Sequence, residues 1–264
     1  MGKTDELYRE QVNPGIIMKR PLVQLNNVDV AYQNNLVLSN VSLSVYYRDF
    51  LGIIGPNGGG KTTLLKVILG FLKPARGTIT YTLNRSEIGY LPQGNQIDDR
   101  FPITVKEVVA SGLEKGLKIH QRFTPREKQQ IDSVLEKVGL KHLRKRPIGE
   151  LSGGELQRTM VARAIVSSPR MLILDEPNTH VDNKFEMELY DLLKELNEFM
   201  TILLVSHDIG TISPYIKSIA CVNRSLHYHS SNEISQEQLK VYNCPIEIIT
   251  HGPVPHRVMK THNP

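Results

Sequence analysis

Eight consecutive residues, Gly55-Pro56-Asn57-Gly58-Gly59-Gly60-Lys61-Thr62, have the types and spacing of a loop that cradles phosphate, G-x-x-x-x-G-K-[ST]. Glycines let such a backbone fold tightly, so that its N–H groups converge on phosphate oxygens. A helix beginning at the end of the loop adds the positive end of its dipole. Lys61 supplies a point charge for the β- and γ-phosphates, and the Thr62 hydroxyl is a ligand for Mg²⁺. The ATP-binding set drawn from this stretch is Gly55, Pro56, Asn57, Gly58, Gly59, Gly60, Lys61, Thr62 and Thr63.

A second chemical pair lies far along the chain. Met171-Leu172-Ile173-Leu174 reads as a buried strand that runs into two adjacent acids, Asp175 and Glu176. Carboxyl ends of parallel strands face a ligand crevice. Neighbours in an extended segment point opposite ways, so two acids can take two roles. Asp175 suits Mg²⁺, directly or through water, and Glu176 suits a general base for an attacking water. Another apolar strand, Thr201 to Val205, ends just before His207, where an imidazole can hydrogen-bond a γ-phosphate oxygen. Alone, that histidine is an ordinary surface residue.

Between these sites stands Leu151-Ser152-Gly153-Gly154-Glu155-Leu156-Gln157-Arg158. Ser152 and Glu155 have capping-box spacing, which explains a helix start. It does not explain Gly153 and Gly154 in the first turn, where glycine weakens a helix. Bare backbone there makes sense if a second phosphate approaches a helix N-terminus.

Elements that would hold these residues are legible around them. Leu22 to Val30 and Val37 to Val45 alternate as strands about a turn at Asn34-Asn35, and Phe50 to Ile54 is a short apolar strand leading into the loop. Thr62 to Leu72 is expected to be helical, with Leu64, Leu65, Ile68, Leu69 and Leu72 on one face and Lys73-Pro74 as its stop. Strands follow at Thr78 to Tyr81 and Glu87 to Leu91. Thr104 to Ile165 reads mainly helical. A further helix places Phe185, Leu189, Leu192, Leu193 and Leu196 on one face. The pattern is strand–helix alternation with a helical insertion, an α/β fold.

Bulk composition bounds the rest. The 264 residues carry a formal net charge of +5, with the densest basic stretch at Lys141 to Arg146, an exposed helix end rather than a nucleic-acid patch. No Trp and only six Phe leave little for a base-stacking platform, so no nucleic-acid partner is expected. Cys221 and Cys244 form no CxxC pair and fit a reducing cytosol. Apolar runs reach about six residues, against the ~20 that a membrane-spanning helix needs. Any work at a membrane is then done through a partner.

Taken together and in this order, the motifs resemble those of the ATP-binding cassette (ABC) ATPases, with Leu151–Arg158 similar to the family's signature motif. The resemblance runs from about Pro21 to Arg224. It implies a phosphate-loop fold with a mostly parallel sheet core, an antiparallel β subdomain and an inserted helical subdomain at about 94–165, within an ATPase domain of 21–225. An arm (1–20) and a tail (226–264) would flank it. It also implies roles: Tyr32 stacks on adenine; Gln93 links Mg²⁺ and the attacking water to the membrane partner; Lys61, Glu176 and His207 are catalytic. Ser152, Gly153, Gly154 and Asp182 act across a head-to-tail homodimer, and Thr62, Gln93 and Asp175 hold Mg²⁺. Many members carry Ser-Ala-Leu-Asp where this chain has Thr179-His180-Val181-Asp182.

Gly55 to Pro74, Phe101 to Gly112 and the closing stretch Tyr242 to Val258 look most like the zinc/manganese importer branch. That implies a peripheral motor on the cytoplasmic face of the cell membrane, partnered by integral permease subunits and indirectly by a solute-binding protein. Other readings are a motor for an iron chelate or an exporter, a soluble cassette protein without transport, or a small-molecule kinase, which the signature and acid pair oppose. Five tail histidines (His227, His229, His251, His256 and His262) suggest a regulatory metal site, although their spacing fits no firm zinc pattern.

Overall fold

The computed structural model describes residues 20–33, 35–94, 102–113, 123–177, 183–232, 246–249 and 256–259; for 183–185 and the last two stretches only the backbone is described. In chain order the elements are β1 (Val23–Tyr32), β2 (Asn35–Val45), β3 (Phe50–Ile54), α1 (Lys61–Ile68), β4 (Arg76–Tyr81), β5 (Ile88–Leu91), α2 (Val105–Ala110), α3 (Pro125–Lys137) and α4 (Gly153–Ile165). Then come β6 (Met171–Asp175), α5 (Asn183–Asn197), β7 (Thr201–Val205), α6 (Ile209–Ile212), β8 (Ser218–Asn223), β9 (Ser225–His229), and a hairpin of β10 (Ile246–Ile249) and β11 (His256–Met259).

A six-stranded sheet, ordered β5-β6-β7-β3-β8-β9, forms the centre. All its pairings are parallel except β8–β9. Strands β3, β6 and β7 are buried at every position, the mark of a sheet covered on both faces, and this is why their sequences are continuous apolar runs. Alternation sorts their side chains into two cores. Phe50, Leu172, Leu174, Ile202 and Leu204 join the core formed with α2–α5. Leu51, Ile53, Met171, Ile173, Leu203 and Val205 join the core formed with α1 and the small antiparallel sheet β2-β1-β4. The antiparallel sheet has one covered face, and β1 accordingly alternates buried and accessible positions.

The helical insertion is α2, α3 and α4. Each starts with the same reciprocal cap: Thr104 with Glu107, Thr124 with Glu127, and Ser152 with Glu155. Ile131 and Leu135 of α3 and Val105 and Val109 of α2 are fully buried, which fastens the insertion to the sheet's helical face.

Several boundaries differ from the sequence expectation; β1 and β2, for example, run Val23–Tyr32 and Asn35–Val45 rather than Leu22–Val30 and Val37–Val45. Helix α1 ends at Ile68, not Leu72. Gly70 lies in the left-handed region at φ 70°, the Phe71 amide donates to the Lys66 carbonyl at 2.8 Å, and the Gly70 amide donates to the Val67 carbonyl at 3.0 Å. This is a glycine C-terminal cap, and it stops the helix before Lys73-Pro74 is reached. Secondly, β4 begins at Arg76, because Asp29 on β1 already pairs with it. Finally, Leu226–His229, the first residues of the expected tail, belong to β9 at the edge of the main sheet.

Candidate active site

Parallel pairing aligns three strand ends. Ile53 of β3 pairs with Val205 of β7, which pairs with Asp175 of β6. The Ser206 amide donates to the Ile53 carbonyl at 3.1 Å, and the Glu176 amide donates to the Val205 carbonyl at 3.1 Å. The phosphate loop, His207 and the acid pair therefore leave the sheet side by side, although 55, 176 and 207 are remote in sequence.

Within the loop, Gly60 precedes α1 at φ 103° as its N-cap residue, with no side-chain cap. The first amides of α1 are thus open to a ligand. Lys61 is buried, and its ammonium donates to the carbonyls of Gly55 at 3.0 Å and Pro56 at 3.1 Å. Burial pushes its pKa down, while Glu176 and Asp175 pull it back up. A cation held in this way is a strong partner for phosphate, because little water competes for it.

Asp175 is 1% exposed, and neither carboxylate oxygen has a hydrogen-bond partner. Burial raises its pKa most, followed by the charge of Glu176; the Thr62 hydroxyl, Lys61 and Lys66 act in the opposite direction. An unpartnered buried carboxylate beside a hydroxyl is costly unless a cation joins it, so this pair fits a divalent ion.

Glu176 lies in the left-handed region at φ 48°, rare for a residue with a side chain. That backbone turns its carboxylate off the strand axis toward two neighbours. Gln93, just past β5, donates through Nε2 to Glu176 Oε2 at 2.6 Å, and His207 Nδ1 lies 4.0 Å from the same oxygen. The carboxylate is largely covered (14% exposed) while the imidazole is open at 64%. A fixed carboxylate with one face tied to an amide and a histidine alongside is equipped to take a proton from water.

The Ser152-Gly153-Gly154 start sits on α4. Ser152 caps the helix, with its Oγ 3.3 Å from the Glu155 amide and its own amide donating to Glu155 Oε2 at 2.8 Å. Ser152 and Gly153 are exposed. Helix α4 packs against α2, α3 and β5, none of which carries the phosphate loop. Further along α4, Gln157 donates to the Pro177 carbonyl, directly after Glu176, and Arg158 bonds Glu188 of α5 at 3.0 Å. Tyr32 ends β1 next to Gln33 (φ 54°) and is 43% exposed. Asp182, with Thr179, His180 and Val181, lies outside the described residues, as do Cys244, Phe101, His251 and His262.

Sequence reasoning overlooked what stands behind the loop. A Cβ on Gly55 would lie 2.0 Å from the Val222 carbonyl oxygen of β8, and one on Gly59 would lie 2.8 Å from it. These two glycines are thus required by a neighbouring strand, independently of any ligand. No local signal could reveal a partner about 160 residues away.

The tail histidines take ordinary places where they are described. His229 is buried opposite Ile219, burial lowers its pKa, and His227 Nε2 sits 3.3 Å from Ser225 Oγ. Among the described residues no group of three or more His, Cys, Asp or Glu gathers to hold a metal ion.

The ABC transporter family model matches residues 38–179. The chain is 40% identical over 230 residues to the zinc uptake system ATP-binding protein ZurA of Listeria monocytogenes, covering 83% of this chain and 90% of that protein. It is 38% identical over 210 residues to the zinc import ATP-binding protein ZnuC of Haemophilus influenzae, covering 79% and 74%. Among solved structures, a nucleotide-free ATP-binding cassette from an ABC transporter superposes with a TM-score of 0.70 at 25% identity, covering 84% of this chain and 94% of that one. The dimeric ADP- and phosphate-bound cassette MJ0796 gives 0.67 at 24%, covering 81% and 100%, which speaks to the fold alone. On the breadth of the family match and the identity to these relatives, this chain belongs to the ABC transporter family.

Proposed function

We propose that this chain is the ATP-hydrolysing subunit of a transporter that imports a divalent metal ion, zinc or manganese. The observation that carries the hydrolytic part is Glu176 Oε2, held at 2.6 Å by Gln93 and 4.0 Å from His207 at the mouth of the phosphate loop. Lys61 and the open amides of α1 hold the β- and γ-phosphates, and Tyr32 stacks on the adenine. Glu176 takes the proton of the attacking water, and His207 meets a γ-phosphate oxygen. When bound, Mg²⁺ would be held by Thr62, Asp175 and Gln93 beside the nucleotide's own oxygens, and it supplies charge neutralisation there.

Each chain carries two half-sites, the phosphate loop and the Ser152-Gly153-Gly154 helix start. Their separation onto different layers supports a head-to-tail homodimer, in which each ATP lies between one copy's loop and the other's signature, with Asp182 at the interface. No helix among the described residues is long and apolar enough to cross a membrane. Integral permease subunits provide the pathway in this reading. The chain then works on the cytoplasmic face, with a solute-binding protein as an indirect partner and no nucleic acid. The zinc reading rests on the relatives, whose names place ZurA and ZnuC in zinc uptake and import.

The test is metal content and growth of a strain lacking this chain, with zinc, manganese or iron limited one at a time. Failure only under zinc or manganese limitation, rescued by that ion, is the expected result. Equal growth under every limitation would remove the metal assignment and leave the ATPase assignment standing.

A further inference from the structure

We infer that Arg224 is a positioning residue for the phosphate loop and that it acts through its backbone rather than its side chain. This rests on the reading above that the loop binds ATP.

Arg224 is the turn between β8 and β9, where Asn223 pairs with Ser225. It lies in the left-handed region at φ 59°. In that conformation its two backbone groups face two different elements. Its amide donates to the Gly59 carbonyl of the phosphate loop at 3.0 Å, and its carbonyl accepts from the Ser39 amide of β2 at 2.7 Å. One residue earlier, the Val222 carbonyl presses on Gly55 and Gly59 closely enough to exclude a Cβ at either. On the other flank, a Cβ on Gly60 would meet the Leu38 side chain of β2 at 2.6 Å. The loop also closes on itself, with the Gly59 amide donating to the Pro56 carbonyl at 3.0 Å.

Gly59 is thus fixed at both ends, its amide by Pro56 within the loop and its carbonyl, on the same peptide plane as the Gly60 amide, by Arg224 behind it. Amides that bind phosphate without rearrangement must be held before the ligand arrives, since ordering them on binding would subtract from affinity. The side chain of Arg224 is exposed and enters none of these contacts. The strut depends on a positive φ and a free N–H, not on guanidinium chemistry.

Substitutions separate the two. Glycine and asparagine adopt the left-handed conformation readily, so Arg224→Gly and Arg224→Asn keep the strut. Valine resists it, and proline can neither reach φ 59° nor donate. The experiment measures the Kd for MgATP of the full-length chain and its variants by calorimetry, with KM and kcat alongside and thermal midpoints as a folding control. Arg224→Gly and Arg224→Asn are expected within about twofold of wild type in Kd, while Arg224→Pro weakens binding by about tenfold, the size of one lost hydrogen bond. The change should fall in KM, with kcat at saturating ATP little altered. Where the proline variant does not fold, Arg224→Val, with a wild-type midpoint and a several-fold weaker Kd, decides for the strut. Wild-type affinity in a folded Arg224→Pro would overturn it. So would a loss in Arg224→Gly equal to that in Arg224→Pro, which would assign the effect to the side chain. A wild-type chain that fails to bind MgATP would instead overturn the reading of the loop itself.

Discussion

Gln93 Nε2 donates to Glu176 Oε2 across 2.6 Å, although 83 residues separate them. Pairing of β5 with β6 brings the two together, because Gln93 and Glu176 each follow the last residues of adjacent strands. Replacing Glu176 with Gln preserves shape and leaves a carbonyl oxygen to accept from Gln93, but an amide cannot take a proton from water. The expected outcome is a fall in ATP turnover of about 10²–10⁴-fold with nucleotide affinity retained. The variant should also accumulate as an ATP-dependent dimer. Steady-state phosphate release, calorimetry and size-exclusion chromatography measure the three; normal turnover would remove Glu176 from its role.

Lys61→Ala deletes a buried ammonium that holds the Gly55 and Pro56 carbonyls together. It therefore removes both the charge proposed for the transferring phosphate and a brace inside the loop. By analogy with a lost oxyanion donor, turnover should fall by about 10²-fold or more. Lys61→Arg should rescue little, because a planar guanidinium does not fit a pocket shaped around a compact ammonium. A loss of only twofold in either variant would count against the assignment.

Local signals were legible as structure. Gly55–Thr62 joins β3 to α1, Asp175 and Glu176 close β6, and Ser152 caps α4, each within a span of eight residues or fewer. Thr104 with Glu107 and Thr124 with Glu127 follow the same S/T-x-x-E rule as Ser152 with Glu155. They are equally readable in the sequence, although only the Ser152 box was read there. Other features belong to tertiary structure. The closure of α1 by Gly70 competes with a proline stop four residues on, and the local backbone bond decides it. The demand for glycine at 55 and 59 comes partly from Val222, and β9 joins the sheet through Cys221 and its neighbours rather than through apolar alternation of its own.

Asp175 makes a stability prediction with a defined sign. Its folded pKa lies above 3.8, chiefly through burial and next through Glu176. The fold therefore holds that proton more tightly than the unfolded chain does. The resulting stabilisation is present below pH 3.8 and is lost as pH rises through the raised value. Asp175→Asn keeps a neutral side chain at every pH. In nucleotide- and metal-free protein at pH 7 it should melt about 2–4 °C higher than wild type, with the difference closing in acid. The same variant should lose ATPase activity, as expected where a group is kept for function at the expense of stability. Thermal unfolding followed by circular dichroism from pH 3 to pH 8 checks this; a lower midpoint for Asp175→Asn at pH 7 would refute it.

Ser152 is asked to do two things, and its partner in the cap separates them. Ser152 Oγ and the Glu155 carboxylate bond each other's backbone reciprocally, so Ser152→Ala and Glu155→Ala should each destabilise α4 by about 1 kcal/mol. Thr104→Ala on α2 is the matching control, a cap of the same build with no proposed ligand. If the exposed Ser152-Gly153-Gly154 edge also receives the phosphate held by a second copy, the variants diverge in dimerisation. In a Glu176→Gln background, Ser152→Ala should weaken ATP-driven dimer formation about 100-fold, because a symmetric dimer loses a charge-assisted hydrogen bond worth about tenfold at each of its two sites. Glu155→Ala and Thr104→Ala should leave it within twofold, roughly the spread expected from a slightly frayed helix. Sedimentation with and without MgATP reads the outcome. Equal losses in Ser152→Ala and Glu155→Ala would mean that the motif acts only as a helix cap, and the second half-site would have to be sought elsewhere on the chain.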